Sequence, residues 1–214
     1  MRGLLLNHCY TAGKSIRSAT LLTAGAVLLL LLLLSNHSMA LRVAGFLPFV
    51  LIPVQAFEVL KQDALSGWNK YEIILPVSRK KAVAAQYITF LLLVAFSIAL
   101  VCGVALAVYG LTGSGWNEVF IHFLLRGAGM ILSIGALVYP LTYKLGTDRS
   151  DSIMMGSVGF SFAVFFGTAF LLESLIGRAE HYDGIFSVVL LLVSALLAAV
   201  SCAVSMTIHE KKEY

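Results

Sequence analysis

The sequence predicts an all-α, polytopic membrane protein with six membrane-spanning helices, an N-terminal interfacial helix and one cytoplasmic helical hairpin. Of its 214 residues, 59% are hydrophobic and only 12% are charged, whereas a soluble domain carries about 25% charged residues. The mean hydropathy is +0.92, and six apolar stretches approach the roughly 20 residues that a spanning helix needs. We therefore expect residues 1–214 to form a single membrane domain.

Basic residues set the orientation of the six spans. If the N-terminus is inside, 12 of the 15 Lys and Arg residues fall in cytoplasmic segments, which the positive-inside rule makes decisive. Both termini are therefore predicted to be cytoplasmic, in a multi-pass protein surrounded by membrane lipid. The net charge of +4 follows from this bias and indicates no nucleic-acid partner. The predicted spans are 18–36, 40–59, 86–109, 119–141, 153–174 and 185–208.

Residues 1–17 are predicted to form the interfacial helix, because Leu5, Cys9, Ala12 and Ile16 recur at helical spacing. The span that follows has an alternative interpretation. Its preceding basic residues and the small-residue sequence at 38–40 are also typical of a cleaved signal peptide. We favour a retained span, since the apolar run at 19–34 is long for a signal peptide and another span follows directly.

Most of the spans lack the groups that ion-coupled transport or catalysis requires. The central parts of spans one, three, five and six contain no Asp, Glu, Lys, Arg or His, and such residues usually mark ion or proton pathways in membranes. No metalloprotease, nucleophile-elbow or Cys/His metal motif is present. Gly13-Lys14-Ser15 is not a phosphate-binding loop, because His8 occupies the position of the required first glycine. We expect no catalytic residue, metal or cofactor in this chain.

Span four carries the one polar constellation, Glu118, His122 and Arg126, which follow each other at four-residue steps on one helix face. One interpretation is a helix end at the outer interface, where Glu118 and Arg126 reach towards the headgroups. The other is a gate or a substrate contact on the outer side of the membrane. The sequence favours the first and leaves the second open.

Small residues recur at four-residue steps in two later spans. Gly159, Ala163 and Gly167 form such a row in span five, and 195, 199 and 203 are alanines in span six. Rows of this kind let helices approach closely. Packing within the chain is the favoured explanation, and a seam between two copies is the alternative.

The segment at 60–85, between spans two and three, is the largest polar feature, and we expect a helical hairpin there. Apolar residues recur at helical spacing until a proline ends the first helix, and Ser78 can cap the second. A generic basic anchor explains the three consecutive basic residues but not the exposed aromatic residues. A docking element explains both, and its predicted contact residues are Leu65, Trp68, Asn69, Tyr71, Leu75, Pro76, Arg79, Lys80 and Lys81.

With six spans, an N-terminal interfacial helix and the Leu-Pro-Val-Ser-Arg-Lys-Lys motif at 75–81, the chain resembles the small ABC-2 type transporter permeases of bacteria. The resemblance covers essentially the whole chain and is sharpest at 68–86. It implies a permease subunit of an ATP-binding cassette exporter in the bacterial inner or plasma membrane. The implied substrate is an amphiphilic peptide, toxin or drug-like molecule.

The resemblance also implies partners. A separate ATP-binding cassette subunit would bind ATP and Mg and hydrolyse the ATP, and a second permease, identical or homologous, would complete the unit. Residues 64–81 would be the coupling region that enters a groove of the cassette. The loop at 144–152, with Asp148 and Arg149, would be a second and smaller contact.

Two other functions stay open at this point. The chain is alternatively a membrane resistance or sensor component that docks a cassette without exporting anything, or a structural helix bundle of another complex. An exporter should show substrate-stimulated ATPase activity in the assembly. A sensor should dock a cassette without transporting a substrate. A structural bundle should have no ATPase partner.

Overall fold

The computed structural model is helical throughout the residues that it describes, and no strand occurs among them. These residues are 37–65, 79–113, 118–177 and 182–211, together with Arg17, Thr20, Leu21 and 23–25. Apart from Arg17, the predicted interfacial helix at 1–17 lies outside this part of the chain. The elements are α1 (His37–Leu65), α2 (Arg79–Thr112), α3 (Glu118–Leu145), a 3₁₀ helix (Thr147–Arg149), α4 (Ser150–Ile176) and α5 (Tyr182–Lys211).

Four of the described helical stretches are long and apolar enough to cross a membrane. They correspond to predicted spans three to six, and their bounds are Lys80–Ala107, Glu118–Leu145, Thr147–Ile176 and Tyr182–Lys211. Helix α1 covers predicted span two but is not among these four, and span one lies almost entirely outside the described residues. The structure thus shows an all-helical membrane protein, and the count of six spans stays a prediction.

The helices alternate in direction between two ends of the bundle. We call the end where α1, α3 and α5 finish and α2 and α4 begin the hairpin end. Ion pairs Lys61–Asp151 and Lys80–Glu210 mark it. The opposite end, where α3 and α5 begin, is the far end.

Helix α3 is the centre of the bundle, since it contacts every other long helix and packs most extensively on α5. Its glycines permit this close approach. A Cβ built at Gly135 would lie 2.6 Å from two ring atoms of the buried Phe90, and one at Gly129 would lie 3.2 Å from Leu190. Small residues at helix contacts are the usual means of close packing in membranes, where lipid removes the hydrophobic driving force.

Among the described residues, the small-residue rows singled out in the sequence do not pack against another helix, so packing within the chain stays a prediction for both. Gly159, Ala163 and Gly167 are exposed on α4, and a Cβ at either glycine would meet nothing within 4 Å. The alanines at 195, 199 and 203 are likewise exposed on α5. Both rows lie on helix faces directed away from α3, so four-residue spacing identified a face but not what covers it.

Hydroxyl groups join the helices across the apolar core. The Tyr87 hydroxyl of α2 lies 2.7 Å from the Ser201 hydroxyl and 2.9 Å from that of Ser205, both on α5. Ser133 of α3 and Ser194 of α5 are paired in the same way at 2.9 Å. Interhelical hydrogen bonds of this kind contribute roughly 0.6–2 kcal/mol each in membranes, so α5 is fastened to both α2 and α3.

Candidate functional site

Some of the predicted docking residues lie in the described helices and others do not. Trp68, Asn69, Tyr71, Leu75 and Pro76 lie outside the described residues, and their docking role stays a prediction. The bounds of the adjoining helices are described: Leu65 is the last residue of α1 and Arg79 the first of α2. We call residues 66–78, between them, the hairpin segment.

An ion pair fastens the chain just before the hairpin segment. The Lys61 ammonium donates a hydrogen bond to Asp151 Oδ1 at 3.1 Å and so connects the end of α1 to the start of α4. This hydrogen bond and the negative charge of Asp151 raise the pKa of Lys61 above its ordinary value. Lys61 therefore remains protonated at physiological pH.

A second ion pair fastens the chain just after the hairpin segment. Lys80 Nζ, in the first turn of α2, lies 3.2 Å from Glu210 Oε1 in the last turn of α5. Lys81 beside it is exposed. Exposed pairs contribute little to stability singly, but these two restrain the chain on both sides of one segment.

Buried polar contacts continue from the second pair into the bundle. The Tyr143 hydroxyl of α3 donates to Gln86 Oε1 of α2, and the Tyr139 hydroxyl donates to the Gln86 carbonyl at 3.4 Å. The hydrogen bonds of Tyr87 to α5 lie on the next residue. The beginning of α2 is consequently joined by hydrogen bonds to both α3 and α5.

The loop predicted as the second contact is a tight connection between α3 and α4. Gly146 has φ +86°, a left-handed conformation that suits glycine, and the 3₁₀ helix follows at once. Asp148 and Arg149 of this turn are both exposed. The structure therefore presents the two predicted contact residues on the surface of the hairpin end, beside the Lys61–Asp151 pair.

At the far end, Arg126 is fixed by α5. Its Nη2 donates to Asp183 Oδ1 at 2.5 Å and to the Asp183 carbonyl at 3.2 Å, and its Nε donates to Ser187 Oγ at 3.0 Å. The guanidinium carbon also lies 4.9 Å from the ring centroid of Phe186, within the range of a cation–π interaction. Arg126 is thus held from three sides by one turn of α5.

Arg126 borders a pocket of about 340 Å³ between α3, α4 and α5. His122, one helical turn away, also lines it, and the buried His122 Nδ1 has no hydrogen-bond partner among the described residues. Glu118 is exposed in the first turn of α3 and does not line the pocket. The structure brings two of the three polar residues of span four together at the pocket, and the third is not part of its lining. The lining residues are Val119, His122, Phe123, Arg126, Gly127, Met130, Phe165 and Asp183.

Asp183 is the site residue that the sequence did not single out. It lies in the first turn of α5, and α3 also begins at the far end. Because the two helices pack side by side, Arg126, which lies about two turns into α3, reaches the first turn of α5, and the pattern of neither helix alone contains this pairing.

Among the described residues, no group of three or more His, Cys, Asp or Glu side chains is placed to hold a metal ion.

Comparison with known proteins adds one finding. A family model described as "ABC-2 family transporter protein" matches residues 3–210 of this chain, which is nearly its whole length. No curated protein and no solved structure is significantly similar to it.

Proposed function

This chain belongs to the ABC-2 transporter family, and on that premise we propose that it is the membrane-spanning permease subunit of an ATP-binding cassette exporter. The family implies association with an ATP-binding cassette subunit. The proposed substrate is an amphiphilic peptide, toxin or drug-like molecule, and the proposed location is the bacterial inner or plasma membrane with both termini cytoplasmic. ATP and Mg belong to the cassette subunit in this proposal.

The proposed coupling role rests on the two ion pairs that lie on either side of the hairpin segment. Lys61 and Lys80 join α1 to α4 and α2 to α5. A push on residues 66–78 would therefore act on four helices together. This arrangement supports a mechanical role in which closure of two cassettes displaces the hairpin segments of two permeases. Hydrolysis of ATP by the cassettes would then reset the cycle.

The first experiment tests docking. The isolated chain is expected to show no ATPase activity and to co-purify with a soluble ATP-binding subunit. Replacing Trp68, Tyr71 and Leu75 together with alanine should release that subunit while the spans stay inserted. An aromatic anchor buried in a partner groove typically loses about 2 kcal/mol or more on truncation, which is roughly a thirtyfold fall in affinity.

The comparison variant replaces Arg79, Lys80 and Lys81 with glutamine and should lower docking less than the aromatic variant does, because exposed ion pairs contribute less than buried anchors. The measurement is the amount of ATP-binding subunit retained on the detergent-purified permease, normalised to permease recovered. Retention of the subunit at wild-type stoichiometry by the aromatic variant, with normal transport, would remove the hairpin segment from the coupling role. Retention with no transport by the wild-type assembly would favour the sensor function.

The second experiment tests whether the Lys61–Asp151 ion pair contributes to coupling. Asp151→Lys places a cation opposite Lys61 and should lower the amount of substrate moved per ATP hydrolysed, with cassette docking unchanged. Adding Lys61→Asp restores opposite charges at these positions and should restore the ratio. If the double variant is no better than the single one, the pair does not transmit force.

A further inference from the structure

The far-end pocket has a composition that points to one class of ligand. We propose that it binds the ammonium headgroup of a cationic amphiphile, with the carboxylate of Asp183 and Nδ1 of His122 as the polar contacts. The inference rests on the proposed export function for its physiological meaning. The binding itself is measurable without a cassette or ATP.

The arrangement of charges in the pocket wall favours a cation. Arg126 and Asp183 line the pocket with one charge of each sign, and the two side chains differ in how much of each is left free. Arg126 is engaged by Asp183, Ser187 and the Phe186 ring. An anionic headgroup would have to displace Asp183 from Arg126, whereas a cation finds an Asp183 side chain that is still 74% exposed.

The hydrogen-bonding groups of the pocket favour a headgroup that can donate. In the tautomer with its proton on Nε2, the imidazole of His122 presents a lone pair on Nδ1. That buried atom has no partner among the described residues, and an unsatisfied buried polar atom is costly. A primary ammonium supplies an N–H for it and further N–H groups for Asp183, which a quaternary ammonium lacks.

The rest of the wall is apolar and suits the body of an amphiphile. Val119, Phe123, Met130 and Phe165 line the pocket from α3 and α4. Its volume of about 340 Å³ lies within the range of about 300–1,000 Å³ that is typical of small-molecule sites. A headgroup held by α3 and α5 would thus leave its chain against aromatic and aliphatic side chains.

The experiment measures equilibrium binding of radiolabelled dodecylamine to the purified chain in nanodiscs of zwitterionic lipid at pH 7, with empty nanodiscs subtracted. Competitors with the same tail separate the headgroup properties: dodecyltrimethylammonium keeps the charge without N–H groups, dodecanol is neutral and dodecyl sulfate is anionic. We expect saturable dodecylamine binding, weaker competition by the quaternary amine, and no competition by the neutral and anionic compounds at tenfold excess.

Variants then locate the site. Asp183→Asn should weaken dodecylamine binding at least tenfold and His122→Phe at least threefold. Val119→Trp, a substitution at a half-exposed position, should abolish binding by filling the pocket. The matched control is Asp151→Asn, which removes an exposed carboxylate at the hairpin end and should leave the affinity unchanged.

Several results would overturn the assignment. Absence of saturable binding, competition by dodecyl sulfate equal to that of unlabelled amine, or equal effects of Asp183→Asn and Asp151→Asn would each reject the pocket as an ammonium site. Equal competition by the quaternary amine would reject the hydrogen bond to His122. If Asp183→Asn does not fold, unchanged binding in Val119→Trp would reject the site. These outcomes leave cassette docking untouched, so failure here is distinct from failure of the proposed export function.

Discussion

Helices α3 and α4 each contain three glycines, but only the glycines of α3 lie where a neighbouring helix packs closely. A Cβ at Gly127, Gly129 or Gly135 of α3 would approach a neighbouring helix to 3.4 Å or less, whereas none of the α4 glycines would meet anything within 4 Å. In the same way, 12 of the 28 residues of α3 are buried but only four of the 27 in α4. The comparison shows that glycine is a packing residue only where another helix crosses it.

The largest loss of stability is expected at Gly135, where the neighbouring side chain lies closest. Gly135→Ala places a methyl group 2.6 Å from the ring of Phe90, which is buried and packed against Tyr139 and Phe57. Overpacking of this kind typically costs about 1–3 kcal/mol. The measurement is the unfolding free energy in mixed micelles.

The control for that prediction is Gly159→Ala on α4, where the added methyl has open space. Because alanine is the better helix former by about 1 kcal/mol, this variant should equal or exceed the stability of the wild type. Equal destabilisation by both substitutions would contradict the contrast between the two helices.

A graded series sharpens the comparison. Alanine at Gly129 meets Leu190 at 3.2 Å, and alanine at Gly127 meets the Phe49 ring at 3.4 Å. The loss of stability should therefore fall in the order Gly135, Gly129, Gly127, with the α4 position Gly167 showing none. An order that does not follow these distances would mean that neighbouring side chains yield easily, and that α3 is less tightly packed than its geometry implies.

The smallest loss of stability is expected from removing a single hydroxyl group. Ser133→Ala removes the contact between α3 and Ser194 of α5 and should cost about 0.6 kcal/mol, the average for interhelical hydrogen bonds in a membrane. In the described part of the chain, the Ser174 hydroxyl of α4 bonds within its own helix, to the Leu171 carbonyl, so Ser174→Ala should leave the stability unchanged. A difference between the two variants below the measurement error would show that α3 is held by shape alone.

Much of the helical architecture was predictable, because long apolar stretches in a chain with little charge have few alternatives. The predicted spans at 86–109 and 185–208 became helices of Arg79–Thr112 and Tyr182–Lys211. Both helices extend beyond the predicted spans at both ends, because a helix satisfies its own backbone hydrogen bonds and continues into polar residues. Hydropathy marks the apolar core of a helix and says nothing of its polar ends.

The far-end site was predictable only in part. The periodicity of span four brought His122 and Arg126 onto one face, and the structure places both at one pocket. Asp183 was missed because the pairing partner of Arg126 is set by how α3 and α5 pack, which the pattern of a single helix does not contain. The exposed rows on α4 and α5 show the same limit, since periodicity defines a face but not its neighbour.

The Lys80–Glu210 pair has a consequence for the synthesis of the chain. Glu210 follows Lys80 by 130 positions, and at about 5–20 residues per second a ribosome needs roughly 6–26 s to cover that distance. During this interval the hairpin segment has already been made, but its second restraint cannot yet form. A partner that recognises the restrained segment would therefore bind chains in which α5 has already been made in preference to shorter nascent ones, which would delay assembly of the transporter until Glu210 has been synthesised.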